Sequence, residues 1–132
     1  MKKIQATLFL LLTLALSTWC WAETTKYTAL SAVTTGTSPV YSLQNVDRVG
    51  LQVAWASGVT AGQIVFETAP TVDYSGTWTT AITLDAASSP PSTNADAVEI
   101  AAAFGRVRVT TTVSGGGSPS ATAYLLLQKN YR

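Results

Sequence analysis

Seven carboxylates and no histidine limit the chemistry open to this 132-residue chain. Without imidazole there is no Ser-His-Asp or Cys-His nucleophile, and the commonest zinc ligand and the usual general base near neutral pH are missing too. The catalytic route that remains is a carboxylate pair of the kind that cleaves glycosidic bonds, drawn from Glu67, Asp73, Asp85, Asp96 and Glu99. Such a pair needs burial and a separation of about 5 to 10 Å. Glu67 follows Phe66 on a strand whose Ile64 and Phe66 read as inward, so its carboxylate is expected to face solvent. No catalytic residue is predicted, and the chain reads as a non-enzyme. Asp47, Asp73, Asp85 and Asp96 fall in turn-forming stretches, where hard oxygen ligands can gather around calcium. No two have the close alternating spacing of a dedicated site, so they read as turn and cap residues, with no metal and no cofactor expected.

Aromatic side chains offer a second chemistry, because sugar-binding sandwiches stack pyranose rings on exposed Trp or Tyr. The candidates are Trp55, Trp78, Tyr74, Tyr41 and Tyr27. Trp55 alternates in phase with Val49, Leu51 and Val53, and Trp78 with Thr80, Ile82 and Leu84, which assigns both to the core. Tyr74 stands in the turn "TVDYSG" beside Asp73, a placement that brings a flat ring and a hydrogen-bonding carboxylate together. Tyr74, Asp73 and Trp78 are therefore the candidate ligand-binding residues, with a glycan as the ligand. The competing reading has Tyr74 capping one end of the fold.

The elements that must position these residues are short strands. After residue 22 the chain holds 18 threonines, is rich in valine, alanine and glycine, and lacks long apolar stretches at helical spacing, so it reads as all-β. Strands are expected at residues 27–33, 39–43, 48–56, 63–68, 77–84, 97–101, 105–113 and 121–128. "TTGTSP", "SGVTAG", "APTVDYSG", "DAASSPPSTNAD" and "SGGGSPS" separate most of them. About eight strands at this spacing predict a single antiparallel β-sandwich, jelly-roll-like in layout. "GRVRVTTTV" sets Val107, Val109, Thr111 and Val113 on one face and Arg106 and Arg108 on the wet one. "AYLLLQ" is apolar on both faces, which predicts a central last strand. "SGGGSPS" reads as the turn of a hairpin joining the last two strands, and "DAASSPPSTNADA" as an exposed excursion across one end.

Lys2 and Lys3, the apolar run "LFLLLTLAL" and the small residue Ala22 have the three-part order of a signal peptide. Residues 1–22 are expected to be cleaved and residues 23–132 to form the domain, secreted, periplasmic or held at the cell surface. An uncleaved anchor and a lipoprotein box at Ser17-Thr18-Trp19-Cys20 compete for the same stretch, but Thr7, Thr13, Ser17 and Thr18 dilute the first and Trp19 misfits the second. Contact with a membrane is expected only through this segment. Loss of Cys20, the single cysteine, leaves no disulfide to form, so core burial must hold the domain together. Without Lys2 and Lys3, six scattered basic residues face seven acidic ones, a balance that does not suit a nucleic-acid partner.

The stretches "GQIVFETAPTVDYSGTWTTAITL" and "FGRVRVTTTVSGGGSPSATAYLLL" resemble jelly-roll modules of phage tail and virion structural proteins. That resemblance implies Phe66 and Trp78 in the core and Gly76 shaping the turn. The signal peptide departs from the family, whose members assemble in the cytoplasm. The two together lead to the expectation of a secreted structural or adhesion protein, the self-assembling subunit of a filament or coat, with itself as partner. Residues 23–38 are small and polar enough to serve as an arm donated to a neighbour's sheet.

Overall fold

A computed structural model describes residues 21–86 and 93–131. The expected leader lies outside these residues except for Trp21 and Ala22, which open the first strand. Eight strands follow in chain order: β1 (Trp21–Val33), β2 (Tyr41–Ser42), β3 (Arg48–Trp55), β4 (Val59–Ala69), β5 (Thr79–Asp85), β6 (Thr93–Glu99), β7 (Phe104–Gly115) and β8 (Ala121–Tyr131). They form two four-stranded antiparallel sheets, ordered β1-β8-β3-β6 and β2-β7-β4-β5. This interleaving of two Greek keys is the jelly-roll layout. The expected all-β sandwich of about eight strands is what the chain adopts.

Alternation assigns the inner faces. On β3 every second residue is buried, with Val49, Leu51 and Val53 fully so and Trp55 at 4% exposure, as its phase predicts. β8 runs between β1 and β3, the central place expected for it, and turns Ala121, Ala123, Leu125 and Leu127 inward. Ile64 and Phe66 of β4, Ile82 and Leu84 of β5, and Val107 of β7 meet them from the other sheet. Gly105 of β7 lies directly over the Phe66 ring, where a Cβ would sit 2.4 Å from ring carbon. The Trp55 indole donates from Nε1 to Asn94 Oδ1 at 2.8 Å and so satisfies its polar edge beside the core.

Two expectations about connections are corrected, and a third segment finds its place. β7 and β8 belong to different sheets, so "SGGGSPS" is a crossing between layers and not a hairpin turn. Its Gly116 N–H donates to the Gly58 carbonyl at 2.9 Å, tying it to the β3–β4 crossing at the same end. Glycines mark a sharp change of direction equally well in both settings, and alternation carries no record of which sheet a strand joins. The excursion at 85–97 is shorter than it read: β6 begins at Thr93 and pairs along β3, Ala54 with Thr93 through Arg48 with Glu99. As a largely exposed edge strand, β6 shows no clean apolar alternation. Residues 23–38, expected as an arm for a neighbour's sheet, are seated here in the chain's own sandwich. β1 starts six residues earlier than expected and pairs along β8 of the same chain, from Trp21 with Tyr131 to Val33 with Ala121. Ala29, Leu30 and Ser38 are buried.

Candidate functional site

Of the residues singled out for chemistry, Glu67 and Trp78 lie on the outer face of the β2-β7-β4-β5 sheet, with Tyr74 and Asp73 in the hairpin that joins β4 to β5. Glu67 corrects the expectation made for it. It lies on the outer face, as alternation from Phe66 requires, yet it is only 2% exposed. The cover comes from β7. Cross-strand register sets Glu67 opposite Arg106 and Val65 opposite Arg108, and opposed residues share a face. Arg106 Nε approaches Glu67 Oε2 at 3.0 Å, while Arg108 Nη2 reaches Oε1 at 2.5 Å and its Nε lies 3.1 Å from Oε2. Both arginines keep one end in water, with side chains 25% and 40% exposed. The Arg106 and Arg108 side chains do lie on the wet face, as predicted; their alternation with valines did not reveal a carboxylate beneath them.

Burial alone would raise the Glu67 pKa, but hydrogen bonds from Arg108 and then Arg106, with their positive charge, outweigh it and hold the carboxyl below the ordinary carboxylate value. Hydrogen bonding to Glu67 likewise raises Arg108 above the usual arginine value. A carboxylate held ionised by two guanidinium groups is poorly suited to pass a proton, so this arrangement is a clamp between β4 and β7.

Trp78 is the second correction. Phase with Ile82 and Leu84 assigned it to the core, but Phe66 pairs with Ile82 and Glu67 with Thr80, leaving Ala81 as the extra residue of a β-bulge. The bulge reverses the parity of the chain that precedes it. Thr80 thereby joins the outer face, and Trp78 lies half-buried there with the Arg106 guanidinium over its ring, 4.1 Å from the centroid. Phe66, assigned to the core with it, is fully buried.

The structure brings Tyr74 and Trp78 together. Their ring centroids are 6.4 Å apart in an edge-to-face arrangement, and Trp78 Nε1 donates to the Tyr74 carbonyl at 3.2 Å. The Tyr74 ring folds back over Gly76, where any Cβ would lie 2.6 Å from it. Asp73 sits exposed at the hairpin tip beside them. The three sequence candidates thus form one cluster, extended by a residue that sequence reasoning did not enlist, Arg106.

Two of the other acidic residues have local roles. Asp96 accepts the N–H of Ala97 at 2.8 Å and Asp47 that of Asn130 at 3.2 Å. Among the described residues no group of three or more His, Cys, Asp or Glu side chains is placed to hold a metal ion. None of the helices sought among them is long and apolar enough to cross a membrane.

No family model matches this chain, and no curated protein sequence does either. Solved structures do resemble it. The prophage-derived protein YomS of SPBc2 superposes with a TM-score of 0.60 at 13% identity, over 83% of this chain and 96% of its own. The exported protein XepA of PBSX gives 0.53 at 16% identity, over 85% of this chain, which spans only 38% of XepA. A protein of the disulfide-linked pili of Bacillus endospore appendages gives 0.48 at 14% identity. At these identities the likeness is one of fold, and the phage-module resemblance of the two sequence stretches holds in that sense: the chain shares its sandwich with prophage-derived proteins.

Proposed function

We propose that this chain is a secreted structural subunit that assembles with copies of itself. The observation that carries the reading is the outer face of the β1-β8-β3-β6 sheet. Register lays across it the rows Lys26, Leu126, Gly50, Ala97 and Thr28, Tyr124, Gln52, Ala95. Leu126 and Tyr124 remain half-exposed there, flanked by glycine and two exposed alanines, and the Lys26 ammonium lies over the Tyr124 ring at 4.0 Å. Glycine and alanines beside half-exposed Leu126 and Tyr124 let a second sheet approach closely, with the charges of this face at its margins, in Lys26 and in the Arg48–Glu99 row. Export belongs to the proposal: it rests on the leader sequence, and the exported protein XepA shares the fold. Light scattering and negative-stain microscopy of the purified protein test it. Oligomers or filaments that dissociate on Ala97→Lys, with unchanged circular dichroism, are expected; a wild-type monomer at every concentration would overturn the reading.

A second reading, a glycan-binding module, is favoured by the Tyr74–Trp78 pair with exposed Asp73 beside it. A glycan array decides it: binding lost on Tyr74→Ala with the fold intact would support it, and an empty array would remove it.

A further inference from the structure

A subunit that assembles must offer contacts, yet each sheet edge is guarded against the simple addition of a strand. β2 is two residues long, β5 carries the bulge at Ala81, and β6 sets Asp96 opposite buried Leu51, a charge on the inward register of an edge. β1 is interrupted by register shifts between Thr28 and Leu30 and between Leu30 and Val33. An incoming strand would meet a broken ladder on every side. A strand that replaces one already present meets no such obstacle.

β1 is built in two unequal parts. Ala29 and Leu30 are buried and anchor its second half in the core. Residues 22–28 contribute no buried side chain: Glu23, Thr24, Lys26 and Thr28 are exposed, Tyr27 is 40% exposed and Thr25 is half-buried. Among the described residues, the one strand this half pairs with is β8. The register shift after Thr28 separates the parts and breaks the regular ladder where a hinge would turn. We infer that residues 23–28 form an exchangeable arm, which leaves its own β8 and pairs with residues 124–129 of a second copy as the structure pairs them within one chain. The inference rests on the self-assembly reading and names its contact.

The pairing has features that select a β8 of this sequence. Glu23 lies opposite Lys129, and Lys26 is seated over Tyr124. Because the same contacts form within a chain or between chains, exchange is nearly neutral in bonding and is driven by concentration. Six extended residues reach about 20 Å, enough to cross a contact between adjacent domains. Reciprocal exchange closes a dimer, and head-to-tail exchange propagates a filament.

Thr24 and Gln128 are Cα partners in this ladder, so cysteines there report on it. Chains carrying Cys20→Ser with either Thr24→Cys or Gln128→Cys, one isotopically heavy and one light, are mixed at high concentration and oxidised. Peptide mass spectrometry is expected to find the 24–128 link between heavy and light chains, in a share that rises with concentration. The double variant T24C/Q128C reports the link within one chain. If light scattering finds oligomers while the link forms only within the double variant, the arm inference falls and the assembly reading stands. A monomer with only the intrachain link overturns both.

Discussion

Replacing Glu67 by glutamine isolates the contribution of the clamp. Glutamine keeps the size and one acceptor oxygen but removes the charge to which Arg106 and Arg108 bind. A hydrogen bond to a charged group contributes about 1.5 to 3 kcal/mol, and breaking a fully buried ion pair costs about 3 to 5 kcal/mol. Here the carboxylate is buried but Arg108 is 40% exposed, so both arginines recover solvation and the expected loss falls to about 2 kcal/mol. For a domain of this size that lowers Tm by about 8 °C. The sign of the pH dependence follows from the lowered pKa of Glu67. Its stabilisation is complete above the ordinary carboxylate value of about 4.3 and is lost as pH falls through the lower folded value. Thermal denaturation of wild type and Glu67→Gln, followed by circular dichroism from pH 7 to pH 2, should therefore give a Tm gap that is constant down to about pH 5 and then narrows. An unchanged Tm at pH 7, or a gap independent of pH, would refute the clamp.

Other expectations follow from single contacts. Gly105→Ala forces a methyl into the Phe66 ring, which is fully buried and has no room to yield; a loss of about 1 to 3 kcal/mol in urea unfolding is expected, and wild-type stability would contradict the packing. Phe66→Ala empties the centre of the same core and should cost about 3 to 5 kcal/mol. Tyr41, half-buried against Tyr27 with ring centroids 5.3 Å apart, has its pKa raised by burial and then by that neighbour. A raised phenol favours the neutral form, so this group's stabilisation is present below its ordinary value of about 10 and is lost as pH rises through the folded value. Tyr41→Phe should soften alkaline unfolding, and ultraviolet titration should lose one tyrosine that ionises above the ordinary value; identical alkaline profiles would speak against it.

Much of this fold can be read from period-two alternation. β3 shows it without interruption, and its inward residues are the ones buried. Where a strand carries an extra residue the reading inverts: Ala81 sends Trp78 to the outer face, and the shift between Gln63 and Ile64 pairs Gln63 with Thr111, which is exposed although it alternates in phase with Val107. A bulge is one residue of geometry without a dedicated side-chain signature. Sheet membership is similarly silent, which is why the glycine crossing between β7 and β8 read as a hairpin. Of the cluster, Tyr74, Asp73 and Trp78 were visible because they are neighbours in sequence. Glu67 and the arginines are 39 and 41 positions apart, and only register across β4 and β7 joins them.

The pairing of β1 with β8 makes the first strand of the sandwich wait for the last. β3, too, gains one of its two neighbours only when β8 arrives. During synthesis, this sheet is therefore without one of its two inner strands until β8 has emerged. Closing so long a loop is slow, and the rate of folding should be set by that search, with helix-like local steps contributing little. The same order keeps the sandwich open until β8 is made, and leaves the apolar strands before it exposed to helpers or to one another over that interval.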